Sequence, residues 1–150
     1  MGEVRERVKL ENFVDRYLFE EGKINKDAIR NLEIQALVDT GSTRLVLPED
    51  IVERLGLRKI GRVVVSYADE RKEERDVCGA VMITIAERST DSSCVVGPPL
   101  SEPLIGQVIL EELDLIVDCN EQRLKPRPES PYLPLLKMKK VFEIWGYRLR

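Results

Sequence analysis

The 150-residue sequence contains no histidine. That absence removes Ser–His and Cys–His nucleophilic pairs, imidazole metal ligands and imidazole acid–base chemistry together. Cysteine is scarce too: Cys78, Cys94 and Cys119 are an odd three, 16 and 25 positions apart. With no C-x-x-C pair among them, a zinc cage or disulfide framework is excluded, and the thiols read as buried small hydrophobes. The nine glycines are scattered singly, so no loop is rich enough in glycine to cradle a phosphate. No apolar run approaches the roughly 20 residues that cross a bilayer. The opening MGEVRERVKL lacks the apolar heart of a secretory signal. The expectation is a cytoplasmic protein with reduced thiols and no membrane partner. Nor is there a basic excess: 24 Lys and Arg against 27 Asp and Glu leave a formal charge of −3, and nucleic acid is not expected as a partner.

What is present is an ordinary globular composition, 43% apolar and 34% charged, in a chain long enough for one core. The chemistry left to it is that of carboxylates, lysine, tyrosine or thiol. Its hydrophobic pattern is short and mostly of period two. Leu32, Ile34, Ala36 and Val38 alternate with Glu33, Gln35 and Leu37. Val63–Val65, Val81/Ile83/Ile85, Val95–Val96 and Leu115–Val117 follow as brief runs rich in β-branched residues, and Val4, Val8 and Leu10 form a weaker one. This predicts a mainly β protein. Residues 11–30 read as a loop or a short helix between two strands.

Two short helices are bounded clearly. Pro48 suits a first turn, Glu49 and Asp50 favour its positive end, Ile51, Val52 and Leu55 share one face, and Gly56 stops it. Val108–Leu113 places Ile109, Leu110 and Leu113 opposite Glu111 and Glu112. Between two strand runs lies an unbroken charged stretch, Asp69–Asp76, with five acids and three bases. It reads as the solvated tip of a long hairpin.

The motif that asks for chemistry is Ala36-Leu37-Val38-Asp39-Thr40-Gly41-Ser42-Thr43. It ends an apolar strand in a carboxylate and surrounds that acid with hydroxyl and turn N–H donors. An Asx turn would look the same locally. The context is more particular. Leu45-Val46-Leu47 and the Pro48-led helix follow, and about 65 residues after the acid comes Pro103-Leu104-Ile105-Gly106, again running into a helix.

Over residues 32–125 this order resembles the retropepsin-like aspartic proteases, in the style of a bacterial or archaeal single-domain member. The resemblance implies a small closed acid-protease-type barrel with one or two short helices, forming half of a two-fold dimer. Peptide hydrolysis by carboxylates needs one acid to take a proton from water and another to give one. In aspartic proteases two acids about 3 Å apart share that proton, because both cannot ionise. This chain holds one Asp-Thr-Gly, so the resemblance implies a homodimer in which Asp39 of each copy supplies half of the dyad. The same resemblance assigns supporting roles around Asp39. Thr40 would bond across the two-fold, Gly41 would permit close approach, and Ser42 would orient the outer carboxylate oxygen. Leu104, Ile105 and Gly106 would pack behind the loop. No metal or cofactor is implied, and the substrate would be a peptide or unfolded protein.

The hairpin at residues 66–79 would correspond to the flap over the substrate, with Ser66, Tyr67, Ala68 and Asp69 as flap candidates. It departs from the family pattern in being charged rather than glycine-rich and apolar. Asp118 reads as the turn after a strand. The protease domain is expected over residues 1–125. Residues 126–150, with Pro126, Pro128, Pro131 and Pro134, read as a linker and a basic C-terminal extension ending in Val141, Trp145, Tyr147 and Leu149. From Asn120 onward eight bases meet three acids, a charge of +5, so the first 119 residues carry −8. The rival expectation is a non-catalytic dimeric β-barrel of the same fold that binds peptides or proteins.

Overall fold

The computed structural model describes residues 2–138. The extension from Val141 to Arg150 falls outside the described residues. Thirteen short elements alternate along the chain, and the strands close on one another. β1 (Arg5–Asn12) pairs antiparallel with β2 (Asn31–Val38), and β2 pairs parallel with β7 (Leu104–Ile105). β7 meets β3 (Val46–Pro48), which runs parallel to β6 (Arg88–Gly97). β6 pairs with β5 (Lys72–Ile85), and β5 returns to β1. The ring β1-β2-β7-β3-β6-β5 is therefore a closed six-stranded barrel, with β4 (Arg58–Ser66) attached outside β5 as an edge. Closure leaves few unpaired strand edges. A separate ribbon, β8 (Leu115–Asp118) with β9 (Arg123–Pro126), follows the last helix.

The strands expected from period-two runs are all present, including the weak N-terminal one. The helices are α1 (Phe13–Glu20), α2 (Glu49–Leu55) and α3 (Gln107–Leu113), with a 3-10 turn at Lys26–Ala28. The one or two helices expected are thus three, because residues 13–20 form a helix. It is hard to read from the sequence because the residue it buries is not apolar: within the helix the one buried residue is Asp15. Asp15 is held by charge pairing rather than by apolar contact. Its carboxylate accepts from Arg30 through the backbone N–H and the guanidinium, at 3.0 and 2.8 Å. Asn12 caps the helix by accepting from the Asp15 N–H at 3.0 Å, and its amide donates to the Leu55 carbonyl at 2.8 Å, tying α1 to the end of α2.

The charged stretch is also placed differently from expectation. The turn of the long hairpin occupies residues 67–71, while Lys72–Asp76 belong to β5 and pair with Arg62–Ser66. Cross-strand charge pairing makes a strand of this composition possible: Arg62 bridges Glu74 at 2.8 Å and Lys59 bridges Asp76 at 3.2 Å.

The core joins Val8, Leu10, Ala36, Leu45, Leu47, Ile83, Ile85 and Ile105 to the inner faces of α2 and α3. Each Val, Leu or Ile side chain among them contributes about 1.5–3 kcal/mol on burial. Cys78 and Cys94 lie in this core, whereas Cys119 is exposed, contrary to the expectation for all three thiols. Asp118 is the last residue of β8, paired with Arg123, and not part of the turn itself; its carboxylate closes that turn by accepting from the Asn120 and Glu121 N–H groups and bridges Lys125. No helix among the described residues is long and apolar enough to cross a membrane.

Candidate active site

Asp39 follows the last residue of β2, and the parallel ladder to β7 continues through it. Leu37 N–H donates to the Pro103 carbonyl at 2.9 Å, and Asp39 N–H donates to the Ile105 carbonyl at 3.0 Å. The next same-face position after Leu37 is therefore Asp39, and its backbone is fixed although its side chain lies beyond the strand. The chain then turns. Ser42 N–H donates to the Asp39 carbonyl at 3.1 Å, and Gly41 N–H donates to Asp39 Oδ1 at 3.0 Å.

The loop is held from behind by α3. Gln107 N–H donates to the Ser42 carbonyl at 2.8 Å and Val108 N–H to the Thr43 carbonyl at 3.1 Å. Two first-turn donors of a helix that has no side-chain cap are satisfied in this way. Gly106 makes the approach possible: a Cβ there would lie 2.6 Å from the Arg44 carbonyl oxygen and from the Thr43 carbonyl carbon. No larger residue fits without moving the loop backbone. Ile105 is buried in the core, Leu104 is half-buried, and Gly106 is buried between loop and helix.

Asp39 is half-buried, with Thr40 and Gly41 exposed beside it. The Ser42 hydroxyl donates to the Arg44 carbonyl at 3.4 Å, so in the single chain the hydrogen bond to the Asp39 carboxylate comes from Gly41. The carboxylate is oriented by one N–H and keeps its other lone pairs free for water or a ligand. Among the described residues no three Cys, Asp or Glu gather where they could hold a metal ion.

The register divides the sheet into two faces. Ala36, Leu45, Leu47, Cys94 and Ile105 point into the core. Their neighbours form the opposite face: Leu37 is level with Leu104, Leu104 with Val46, Val46 with Val95, Val95 with Val77, and Val77 with Gly61. Val77 and Val95 are buried without joining the core cluster. This second, apolar face is the one on which Asp39 lies. It continues onto the hairpin through Val63 opposite Arg75 and Val65 opposite Glu73.

Ser66 ends β4, and Tyr67, Ala68 and Asp69 make the turn, closed by Tyr67 N–H to the Arg71 carbonyl at 2.8 Å. The Arg71 guanidinium stacks over the Tyr67 ring at 4.6 Å. A charged but internally bonded tip results.

The sequence reading missed a second polar centre at the far end of α3. Asp114, in left-handed backbone at the helix C-terminus, is buried. It accepts from the Ser130 hydroxyl, from Arg127 Nε at 2.9 Å and from Leu135 N–H at 3.0 Å. These donors hold its carboxyl well below the usual carboxylate range. Buried Arg88 donates to the Leu113 and Asp114 carbonyls at 2.9 and 3.1 Å, and also to the Ser130 carbonyl. Residues 127–135 are thereby fastened to the barrel. The sequence signal was faint: Arg88 follows Glu87 and opens a polar run, Ser89 to Ser93, where it looks like a solvated charge.

Residues 21–109 match the family model described as "Aspartyl protease". Among solved structures, the retroviral protease-like domain of Ddi1 from Leishmania major superposes with a TM-score of 0.51 at 12% identity, covering 91% of this chain and 92% of that one. EIAV protease in complex with the inhibitor HBY-793 gives 0.47 at 23% identity, over 54% of this chain and 77% of that one. A search of curated proteins finds no match. The first of these structural likenesses concerns the fold alone, a retropepsin-like barrel.

Proposed function

The chain belongs to the aspartyl protease family, whose model covers more than half of it, and from that premise we propose that it is an aspartic endopeptidase acting as a two-fold dimer. The observation that carries this reading is the Asp39 carboxylate itself. Its backbone is fixed by the β2–β7 ladder and by the Gly106 packing, while its side chain accepts one N–H and opens onto an apolar face. A structural aspartate would be enclosed by donors; this one is positioned and left unfilled.

A single Asp39 carboxyl cannot be the ionised base and the protonated acid in the same step. Two copies brought together at Asp39 would share one proton, the ionised member activating water and the protonated member donating to the scissile carbonyl. Titration then belongs to the pair and not to either copy. An extended peptide would lie between the apolar face and the β4–β5 hairpin, with backbone hydrogen bonds of the strand-addition kind.

The test is digestion of a mixed peptide library from acid to neutral pH, read by mass spectrometry, with the wild-type chain and Asp39→Asn prepared alike. Cuts that disappear in the variant establish Asp39-dependent proteolysis. Identical cut sets in the two proteins sink the reading, and a folded wild type that binds peptides without cutting makes it a binding barrel. Sedimentation at the same concentrations checks the dimer.

A further inference from the structure

We infer that Cys78 and Cys94 form a redox-sensitive pair, which closes into a cross-strand disulfide and pins the root of the β4–β5 hairpin to the barrel. The site is independent of the chemistry at Asp39; its effect on cleavage rests on reading the hairpin as the cover of the peptide groove. The two residues stand directly opposite each other in the antiparallel β5–β6 ladder, next to the Val77–Val95 rung. Both side chains belong to the core cluster, whereas those of Val77 and Val95 do not, so the two thiols lie on one face of the sheet. Directly opposed residues in such a ladder have Cα atoms about 4.5–5.5 Å apart, and a disulfide spans about 4.4–6.8 Å between Cα atoms. The register therefore brings the pair within bridging range. Their Cβ atoms, at about 4.5–5.5 Å in such a pair, must be drawn slightly closer. A bond closed that way is readily reduced again, as a switch requires.

The thiols also sense each other. Burial pushes Cys94 up to about 12; the Cys78 thiol adds to the shift and the Cys78 backbone N–H opposes it. Burial raises Cys78 too, with Asp76 adding and Lys59 opposing. The dithiol is thus the resting form. A metal is not what the pair awaits: among the described residues no third Cys, Asp or Glu joins it.

Its place in the fold gives the pair a mechanical role. Along Val81–Thr84, β5 is held on both sides, by β1 and by β6. The β5–β6 ladder is then interrupted, leaving Gly79 and Ala80 without β6 partners, and resumes for two rungs, Cys78–Cys94 and Val77–Val95. Lys72–Asp76 pair with β4 alone. A second register shift lies on the β4 side, between Lys59, the partner of Cys78, and Gly61. Two rungs beyond a bulge are therefore all the strand pairing that joins the hairpin side of β5 to β6, and bulges are where strands bend. A covalent bond at one rung makes that joint rigid.

Cys94 is fully buried and Cys78 slightly less so, which makes Cys78 the entry point for an oxidant. Oxidation by a small-molecule disulfide proceeds as two exchanges. Cys78 loses its proton and attacks one sulfur of the reagent, forming a mixed disulfide and releasing one thiol. Cys94 then loses its proton, displaces the second thiol and closes the Cys78–Cys94 bond. Two protons and two electrons pass from the pair to the reagent, which leaves as two thiols.

The experiment uses Cys119→Ser protein, which removes the exposed third thiol. The protein is equilibrated in glutathione buffers from fully reduced to fully oxidised, quenched with an alkylating agent and read by mass spectrometry. The oxidised form should lose two hydrogens, carry no alkyl group and give tryptic residues 76–88 linked to residues 89–123, and dithiothreitol should restore the starting mass. Closing a loop of this length should raise the urea midpoint by about 1 M, and hydrogen exchange should slow at residues 72–78. Cys78→Ala and Cys94→Ala should each abolish the link and both shifts, and either variant that folds suffices as the control. Thiols that stay alkylatable in the oxidised buffer, glutathione left attached to Cys78, or a link that forms only in urea-unfolded protein overturns the pair. A closed bond with unchanged exchange in the hairpin overturns its mechanical role. On peptides that the reduced protein cuts, closure should cause a loss of cleavage that dithiothreitol reverses and that the alanine variants lack. A reduced protein that cuts nothing removes the protease reading, while mass and exchange still decide for or against the pair.

Discussion

Two aspartates close secondary elements in this molecule and are treated oppositely. Asp39, after β2, is half-buried and receives one N–H. Asp114, after α3, is buried and receives a hydroxyl, a guanidinium N–H and a backbone N–H. Both backbones are fixed; the side chains differ in how much of their hydrogen-bonding capacity is spent. A carboxylate enclosed by donors becomes a structural anion that fastens a chain segment. A carboxylate held by its backbone and given one donor keeps lone pairs for a proton and for water. Site and staple are thus distinguished by satisfaction rather than by residue type.

The sharpest way to break that comparison is to remove each partner in turn. Asp39→Asn should lower peptide cleavage by about 10²–10⁴-fold, the range for loss of a positioned acid–base group. Its thermal midpoint should stay within experimental scatter, because a single exposed-loop N–H is all that the carboxylate binds. Calorimetry and cleavage on one preparation check both halves of the statement. Arg88→Met should behave conversely. It removes the guanidinium donor from the Leu113, Asp114 and Ser130 carbonyls, leaving the Asp114 carbonyl with the Arg127 N–H at 3.3 Å, and hydrogen bonds to a charged group contribute about 1.5–3 kcal/mol. Urea unfolding should show the drop while each folded molecule cuts as before.

Gly106→Ala tests whether the Asp39 loop is held by packing as well as by its ladder. The added methyl meets loop backbone at 2.6 Å, and overpacking of this kind costs about 1–3 kcal/mol. Because the atoms that must move are those of Thr43 and Arg44, cleavage should fall further than the folded fraction does. Equal losses of activity and folded protein would mean that the loop position is indifferent to α3.

Much of the Asp39 half was legible in the sequence, because each of its parts has a local cause. Alternation from Leu32 to Val38 gives a strand, Pro48 and Gly56 bound a helix, and the Asp-Thr-Gly turn interrupts the pattern between them. The Asp114 half was not legible. Its donors come from Arg88, Arg127, Ser130 and Leu135, up to 26 positions away, and no periodicity announces a hydrogen bond between distant loops. Helix α1 was obscure for the same reason: its one buried residue is Asp15, held by Arg30 from 15 positions away.

The smallest effect should appear in acid. The donors around Asp114 lower its carboxyl from the ordinary 3.8, so the folded state holds the ionised form more strongly than the unfolded chain does. The stability this provides is present above the ordinary value. It is lost as pH falls below it towards the depressed folded-state value, since protonation removes the acceptor that binds Arg127 and Leu135. Wild-type stability should therefore decline between about pH 4 and the acid limit of folding. Asp114→Asn should start lower at neutral pH and decline less. Its curve should not become level, because Asp15 and Asp118 are also held below the usual range, chiefly by Arg30 and Lys125 respectively. Stability measured by urea unfolding at closely spaced pH values distinguishes the outcomes. Parallel wild-type and variant curves would mean that Asp114 is a neutral partner in its network and that its contrast with Asp39 is one of burial alone.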